Sequence, residues 1–187
     1  MFIVKYARPG SEDYNQTLKL REEVFFEPLG RKIADYDLSA ETNHIVIGAF
    51  ETNSIYTNLI IGTATISQMD AVTFKVEWLC ADKILRRKGI GTSLMQCVEK
   101  IAADRGARKL VIDAPIEAVD FFQRFGYMLK GDVFEKDVFG RCLTMVKPVF
   151  VLPKKEKSEG CSCGHDHHHH HHHDHNHDHH EGCGCDK

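Results

Sequence analysis

Residues 85–95, LRRKGIGTSLM, set three consecutive cations and two glycines directly ahead of an apolar stripe at helical spacing. Gly89 and Gly91 carry no Cβ, so the backbone there can turn tightly and approach a ligand closely. Ile90, Leu94, Val98, Ile101 and Ala102 recur at intervals of three and four residues. That spacing predicts an amphipathic helix over residues 90–104, with Gly106 as its stop. The N–H groups of Gly89, Ile90, Gly91 and Thr92 stand at the start of this helix, where the dipole favours an anion. Arg86, Arg87 and Lys88 add positive charge, and the junction suits a pyrophosphate. Other phosphate motifs fit poorly, since there is no third glycine at dinucleotide-fold spacing and no glycine-lysine-Ser/Thr ending. A solvated basic helix start would carry the same residues.

Upstream, NHIVIGAFE, NLIIGTATISQMD and VTFKVEWLCAD are rich in Ile, Val, Thr and aromatic residues and are separated by short turns. They read as three successive antiparallel strands. A short strand over residues 2–6 and a helix over residues 11–28, capped by Ser11 and ended by Pro28, precede them. Downstream come the buried strand KLVID, a helix opening at Pro115, and two strands in GYMLKG and RCLTMVKPVFVL. The order β-α-β-β-β-α-β-α-β-β places one parallel strand-helix-strand unit, about residues 74–113, inside an otherwise antiparallel sheet. The fold class is α/β, a mixed, mostly antiparallel sheet flanked by helices.

At this point the chain resembles a family. Arg86 to Gly91 match the Arg/Gln-x-x-Gly-x-Gly/Ala motif of the GNAT superfamily of acyl-CoA-dependent N-acetyltransferases. About 30 residues on, AVDFFQRFGY is similar to the signature of that family's last helix, and LREEVFFEP resembles a first-helix pattern of members acting on small molecules. The resemblance implies the GNAT fold over residues 1–153, acetyl-CoA as cosubstrate and a small-molecule amine as acceptor. It implies that Leu79, Cys80 and Ala81, following Trp78, offer main-chain groups to the pantetheine arm. It further implies that Arg86, Arg87, Lys88, Gly89, Ile90, Gly91 and Thr92 hold the pyrophosphate, and that Ala118, Phe121 and Phe122 line the far side of the channel.

Acetyl transfer needs a neutral amine in line with the thioester and a donor for the developing charge. Glu77, on the strand expected to reach the thioester, is the candidate for taking the amine proton, although a solvent-facing carboxylate would look the same by alternation. Phe122 stands where the family often has an acidic tyrosine and has no hydroxyl, which leaves Tyr127 as a nearby donor. Cys142 is either a substrate-contacting thiol or a buried structural one. His44 is structural or lines the acceptor site, and Arg21, Glu23 and Glu27 are candidates for facing it.

The last 34 residues, 154–187, lose their apolar content and are expected to be disordered without a ligand. They hold four Lys+Arg against seven Asp+Glu, which leaves 20 of each in residues 1–153, a balance that predicts no basic nucleic-acid footprint there. Cys161, Cys163, His165, His167, His168, His169, His170, His171, His172, His173, His175, His177, His179, His180, Cys183 and Cys185 are borderline and soft ligands suited to Zn or Ni. An affinity tag would usually lack the flanking cysteines, and the layout is similar to the tails of nickel- and zinc-handling chaperones. A metal-handling protein using the folded part as a scaffold is the alternative reading. No segment resembles a signal peptide or membrane span, so no membrane partner is expected. The cytoplasm is the expected compartment, with a homodimer compatible.

Overall fold

The computed structural model describes residues 1–52, 59–85 and 87–150. The chain runs β1 (Phe2–Tyr6), α1 (Glu12–Arg21), β2 (Ile45–Glu51), β3 (Leu59–Gln68), β4 (Thr73–Ala81), α2 (Ile90–Asp104), β5 (Lys109–Pro115), α3 (Val119–Gln123), β6 (Met128–Leu129), β7 (Phe134–Lys136) and β8 (Gly140–Pro148). The strands form one sheet in the order β1-β2-β3-β4-β5-β8-β6, with β7 also pairing β8. Among the described strands only β4 and β5 pair in parallel, joined through α2. This is the mixed, mostly antiparallel α/β sheet with flanking helices that the sequence predicts.

The main core lies between the sheet and α2. Ile90, Leu94, Val98, Ile101 and Ala102 pack there on Ile66, Phe74, Val76, Leu110 and Met145, all buried. The helical stripe is therefore the face that leaves water, at roughly 1.5–3 kcal/mol per large side chain. Gly106, at φ +84°, ends the turn beyond α2. A smaller layer packs α1 on the opposite face: Leu20 meets Phe50, Ile60 and Cys80.

Three expectations need correction. Ser11 does cap α1, accepting from the Tyr14 N–H at 3.2 Å, but Pro28 does not end the helical path. It widens into a π-turn over Glu22–Phe26 and tightens into a 3-10 turn over Glu27–Leu29. Pro28 sits at the start of that turn, where its missing N–H costs little, and Gly30 at φ +65° stops the chain. The strand in GYMLKG shrinks to two residues, and the short β7 was not anticipated. Two 3-10 turns, Ile33–Asp35 and Ser39–Asn43, also fill what reads as an irregular stretch. They carry side chains that matter below.

Candidate active site

β4 leaves β5 partway along its length, and the site lies in that opening. The strands pair from Thr73 opposite Lys109 to Val76 opposite Ile112 and then stop, although β4 continues to Ala81 and β5 to Pro115. On its other edge, Thr63 of β3 faces Cys80 while Thr65 faces Glu77, so Trp78 and Leu79 together oppose Ala64. Trp78 takes φ +53°, a left-handed conformation that costs about 1–3 kcal/mol for a side chain of this kind.

The extra residue reverses which side chains face which layer. Before it, Phe74 and Val76 are buried toward α2. After it, Trp78 and Cys80 are buried on the α1 face, and Leu79 and Ala81 turn toward α2. Glu77 lies on the α1 face, where the Ser67 hydroxyl donates to its Oε2 at 3.0 Å.

Three cavities share walls along the opening. One of about 650 Å3 lies over the start of α2, lined by Arg87, Gly89, Ile90, Gly91, Thr92 and Arg124 among others. The next, about 610 Å3, shares Ala81, Arg87, Gly91 and Phe121 with it and adds Leu79, Cys80, Ala118 and Phe122. The third, a chamber of about 210 Å3, meets the second at Phe25, Leu79, Pro115, Phe122 and Phe139. The structure thus brings together Leu79, Cys80, Ala81, Arg87, Gly89, Ile90, Gly91, Thr92, Ala118, Phe121 and Phe122. A Cβ on Gly91 would lie 3.3 Å from the Phe121 ring, so a bare glycine keeps this trough open. Lys88 is exposed and lines none of these cavities. Arg86 and the candidate ligands at residues 161–185 lie outside the described residues; among the described residues no group of His, Cys, Asp and Glu is arranged to hold a metal.

The small chamber holds the polar chemistry. Asp113 Oδ2 accepts from Lys136 Nζ and Lys75 Nζ, each at 2.8 Å, and its Oδ1 accepts from Thr144 Oγ1 at 3.0 Å. Burial pushes the Asp113 carboxyl up, but the two lysines outweigh it and hold it at about 2. Glu77 also lines the chamber, with Lys75 Nζ 3.9 Å from its Oε1. Tyr36, Asp37, Glu41, His44 and Trp78 complete the polar and aromatic lining. Trp78 is ringed by Phe25, Phe26, Tyr36 and Phe139 at centroid separations of 5.0–5.9 Å. The arrangement offers a carboxylate with spare acceptor capacity beside a strand edge with no β-partner.

Several singled-out residues take other places. Tyr127 is buried against Phe122, its hydroxyl has no partner among the described residues, and it lines none of the cavities above. Burial, then the charge of Glu99, raises its phenol far above the ordinary value. The donor role considered for Tyr127 therefore has no geometric support: the chain turns at Gly126, φ +82°, and carries the ring into the core. Cys142 is fully buried, and burial raises its thiol. Arg21 is fully buried beneath the site: it pairs with Glu41 at 2.7 Å and donates to Thr65 Oγ1 at 2.8 Å. Glu23 and Glu27 are exposed and line neither the chamber nor the trough. Sequence reading missed Tyr36, Asp37, Glu41, Asp113 and Lys136. Only Asp113, an acidic residue closing an apolar strand, gave any signal.

Residues 29–147 match the family model described as an acetyltransferase (GNAT) domain. The uncharacterized N-acetyltransferase YjcF of Bacillus subtilis (strain 168) is 31% identical over 120 residues, covering 62% of this chain and 79% of YjcF. The crystal structure of Escherichia coli ElaA superposes with a TM-score of 0.66 at 19% identity, over 79% of this chain and 99% of ElaA. A GNAT family acetyltransferase from Elizabethkingia anophelis, solved with acetyl-CoA bound, superposes with a TM-score of 0.58 at 15% identity, over 79% of this chain and 97% of its own. At these identities the structural likeness concerns the fold. No helix among the described residues is long and apolar enough to cross a membrane.

Proposed function

The chain belongs to the GNAT acetyltransferase family, whose model spans more than half of it, and from that premise we propose that it moves an acetyl group from acetyl-CoA to a primary amine of a small molecule. The observation that carries the proposal is the coincidence of two features. β4 parts from β5 after Val76 where the bulge at Trp78 and Leu79 interrupts the β3 ladder. Main-chain groups at the bulge need partners, and the pantetheine amides can supply them.

In this reading Arg87 and the N–H groups at the start of α2 hold the pyrophosphate. The thioester reaches the junction of trough and chamber at Leu79, Pro115 and Phe122. The neutral amine nitrogen attacks the thioester carbonyl carbon, an amide C–N bond forms, and the C–S bond breaks. The amine proton passes to Glu77, directly or through water, and the departing thiolate takes a proton from water, since Phe122 has no hydroxyl to give. Thiol release by the full-length chain, followed over a panel of small amines, tests the proposal. Acetylated amine and stoichiometric CoA are expected; an acetyl-CoA complex that turns over none of the amines would count against it.

We further propose that the acetyltransferase domain ends near residue 153 and that residues 154–187 bind transition-metal ions such as Zn or Ni. The support is the donor chemistry of 12 histidines and four cysteines. Equilibrium dialysis should give about three or four ions per full-length chain and none for a chain ending at Pro153. An equal uptake by both would refute the assignment.

A further inference from the structure

The chamber's charge pairing narrows the acceptor, an inference that rests on the acetyltransferase reading above. Among the described residues, the lysines and arginines lining or abutting it are already paired. Lys136 and Lys75 are both bound to Asp113 at 2.8 Å. Arg21, beneath the floor, is bound to Glu41, which also accepts from Tyr14 Oη at 2.9 Å. Arg31, near the rim, is bound to Asp137. Among the described residues an acceptor carboxylate would find no unpaired cation at the chamber and would give up hydration with little return.

The groups with acceptor capacity to spare are of the opposite kind. Glu77 accepts one hydrogen bond, from Ser67, and its other oxygen has only Lys75 at 3.9 Å. Asp37, exposed on the chamber's wall, accepts at Oδ1 from the Ser39 N–H at 2.9 Å and also interacts with the Ser39 side chain; a carboxylate has about four acceptor positions, so it retains capacity for a further donor. His44 Nδ1 is buried without a partner among the described residues. The Tyr36 ring packs edge-on against Trp78 and Phe26 and lines the same space. Carboxylates and aromatic faces together attract organic cations. A volume of about 210 Å3 has room for about seven water-sized atoms.

We propose that the acceptor is a short aliphatic α,ω-diamine of about five carbons, one nitrogen reacting beside Glu77 and the second, as an ammonium, held by Asp37 with Tyr36 and His44. Glu77 and Asp37 then serve different nitrogens. Asp37 is a specificity residue and Glu77 the proton acceptor.

The test compares kcat/KM of the full-length chain for that diamine, the monoamine of the same length and the ω-amino acid of the same length. The diamine should exceed the monoamine by about tenfold or more, with the ω-amino acid lowest. Asp37→Asn should bring the ratio of diamine to monoamine close to one. An ω-amino acid used as well as the diamine, or a wild-type ratio near one, overturns the diamine proposal while leaving acetyl transfer standing. Absence of acetyl-CoA binding by calorimetry overturns the underlying acetyltransferase site, and the diamine proposal with it.

Discussion

Ser67 Oγ donates to Glu77 Oε2 at 3.0 Å, and this bond between β3 and β4 fixes the carboxylate on the chamber side of the sheet. Its remaining oxygen has Lys75 Nζ at 3.9 Å and faces the chamber that Glu77 lines. Glu77→Gln keeps the shape and the Ser67 contact but removes the basic oxygen. It should lower kcat by about 10²–10⁴-fold with little change in the KM for acetyl-CoA. Ser67→Ala, which frees the carboxylate to rotate, should produce a smaller loss. Steady-state kinetics with both substrates varied separates these outcomes, and a glutamine variant with wild-type kcat would remove Glu77 from the chemistry.

The trough over α2 makes a complementary prediction. A Cβ at Gly91 would already meet Phe121 at 3.3 Å, so the branched side chain of Gly91→Val should fill the path between Arg87 and the strand edge. The KM for acetyl-CoA should rise by about tenfold or more, equivalent to at least about 1.4 kcal/mol. Arg87→Ala should act in the same direction through lost charge. An unchanged KM in both variants would place the cosubstrate elsewhere.

Asp113 links the site to acid stability. Its folded carboxyl lies at about 2, below the ~3.9 of an unfolded aspartate. A depressed folded value contributes stability above about pH 4 that is lost as pH falls toward 2. The difference corresponds to about 2–3 kcal/mol, most of which is gone by about pH 2. In urea unfolding, the gap between wild type and Asp113→Asn should therefore narrow by about that amount between about pH 6 and about pH 2. A gap independent of pH would show that the two lysines do not act on this carboxyl.

The Arg21–Glu41 pair is a second buried element, with both side chains almost wholly removed from water. Removing only one partner, as in Glu41→Ala, strands a buried guanidinium and should cost about 3–5 kcal/mol. Leu94→Ala, in the fully buried stripe of α2, should cost about 2–5 kcal/mol. Chemical denaturation measures both. A loss below about 1 kcal/mol for Glu41→Ala would mean that water reaches Arg21.

What the sequence disclosed follows from how local its signals are. Ile90, Leu94, Val98 and Ile101 declare a helix within a few turns, and Gly89 with Gly91 marks its start, so α2 and the trough over it were legible. The alternation of β4 looked equally plain, yet it misleads beyond Glu77. The bulge at Trp78 adds a residue that only the β3 register reveals, and this decides which faces Trp78, Leu79, Cys80 and Ala81 occupy. The chamber's other groups come from distant places: Tyr36, Asp37 and His44 from turns without periodicity, and Lys136 from a three-residue strand. Asp113 meets Lys75 and Lys136 only through strand pairing and chain return, which no local pattern encodes. Tyr127 shows the reverse error, since nearness in sequence to Phe122 suggested a shared role while the turn at Gly126 points its ring into the core.

The central claim is that acetyl-CoA lies along the trough with its thioester at the bulge of β4. Trp78 is the chain's one tryptophan and sits at that bulge, so its emission reports the place directly. Titration of the full-length chain with acetyl-CoA, run beside calorimetry on the same sample, should give a saturable change in Trp78 emission with the calorimetric affinity, and Gly91→Val should weaken both together. Calorimetric binding of acetyl-CoA with Trp78 emission unchanged would contradict the account.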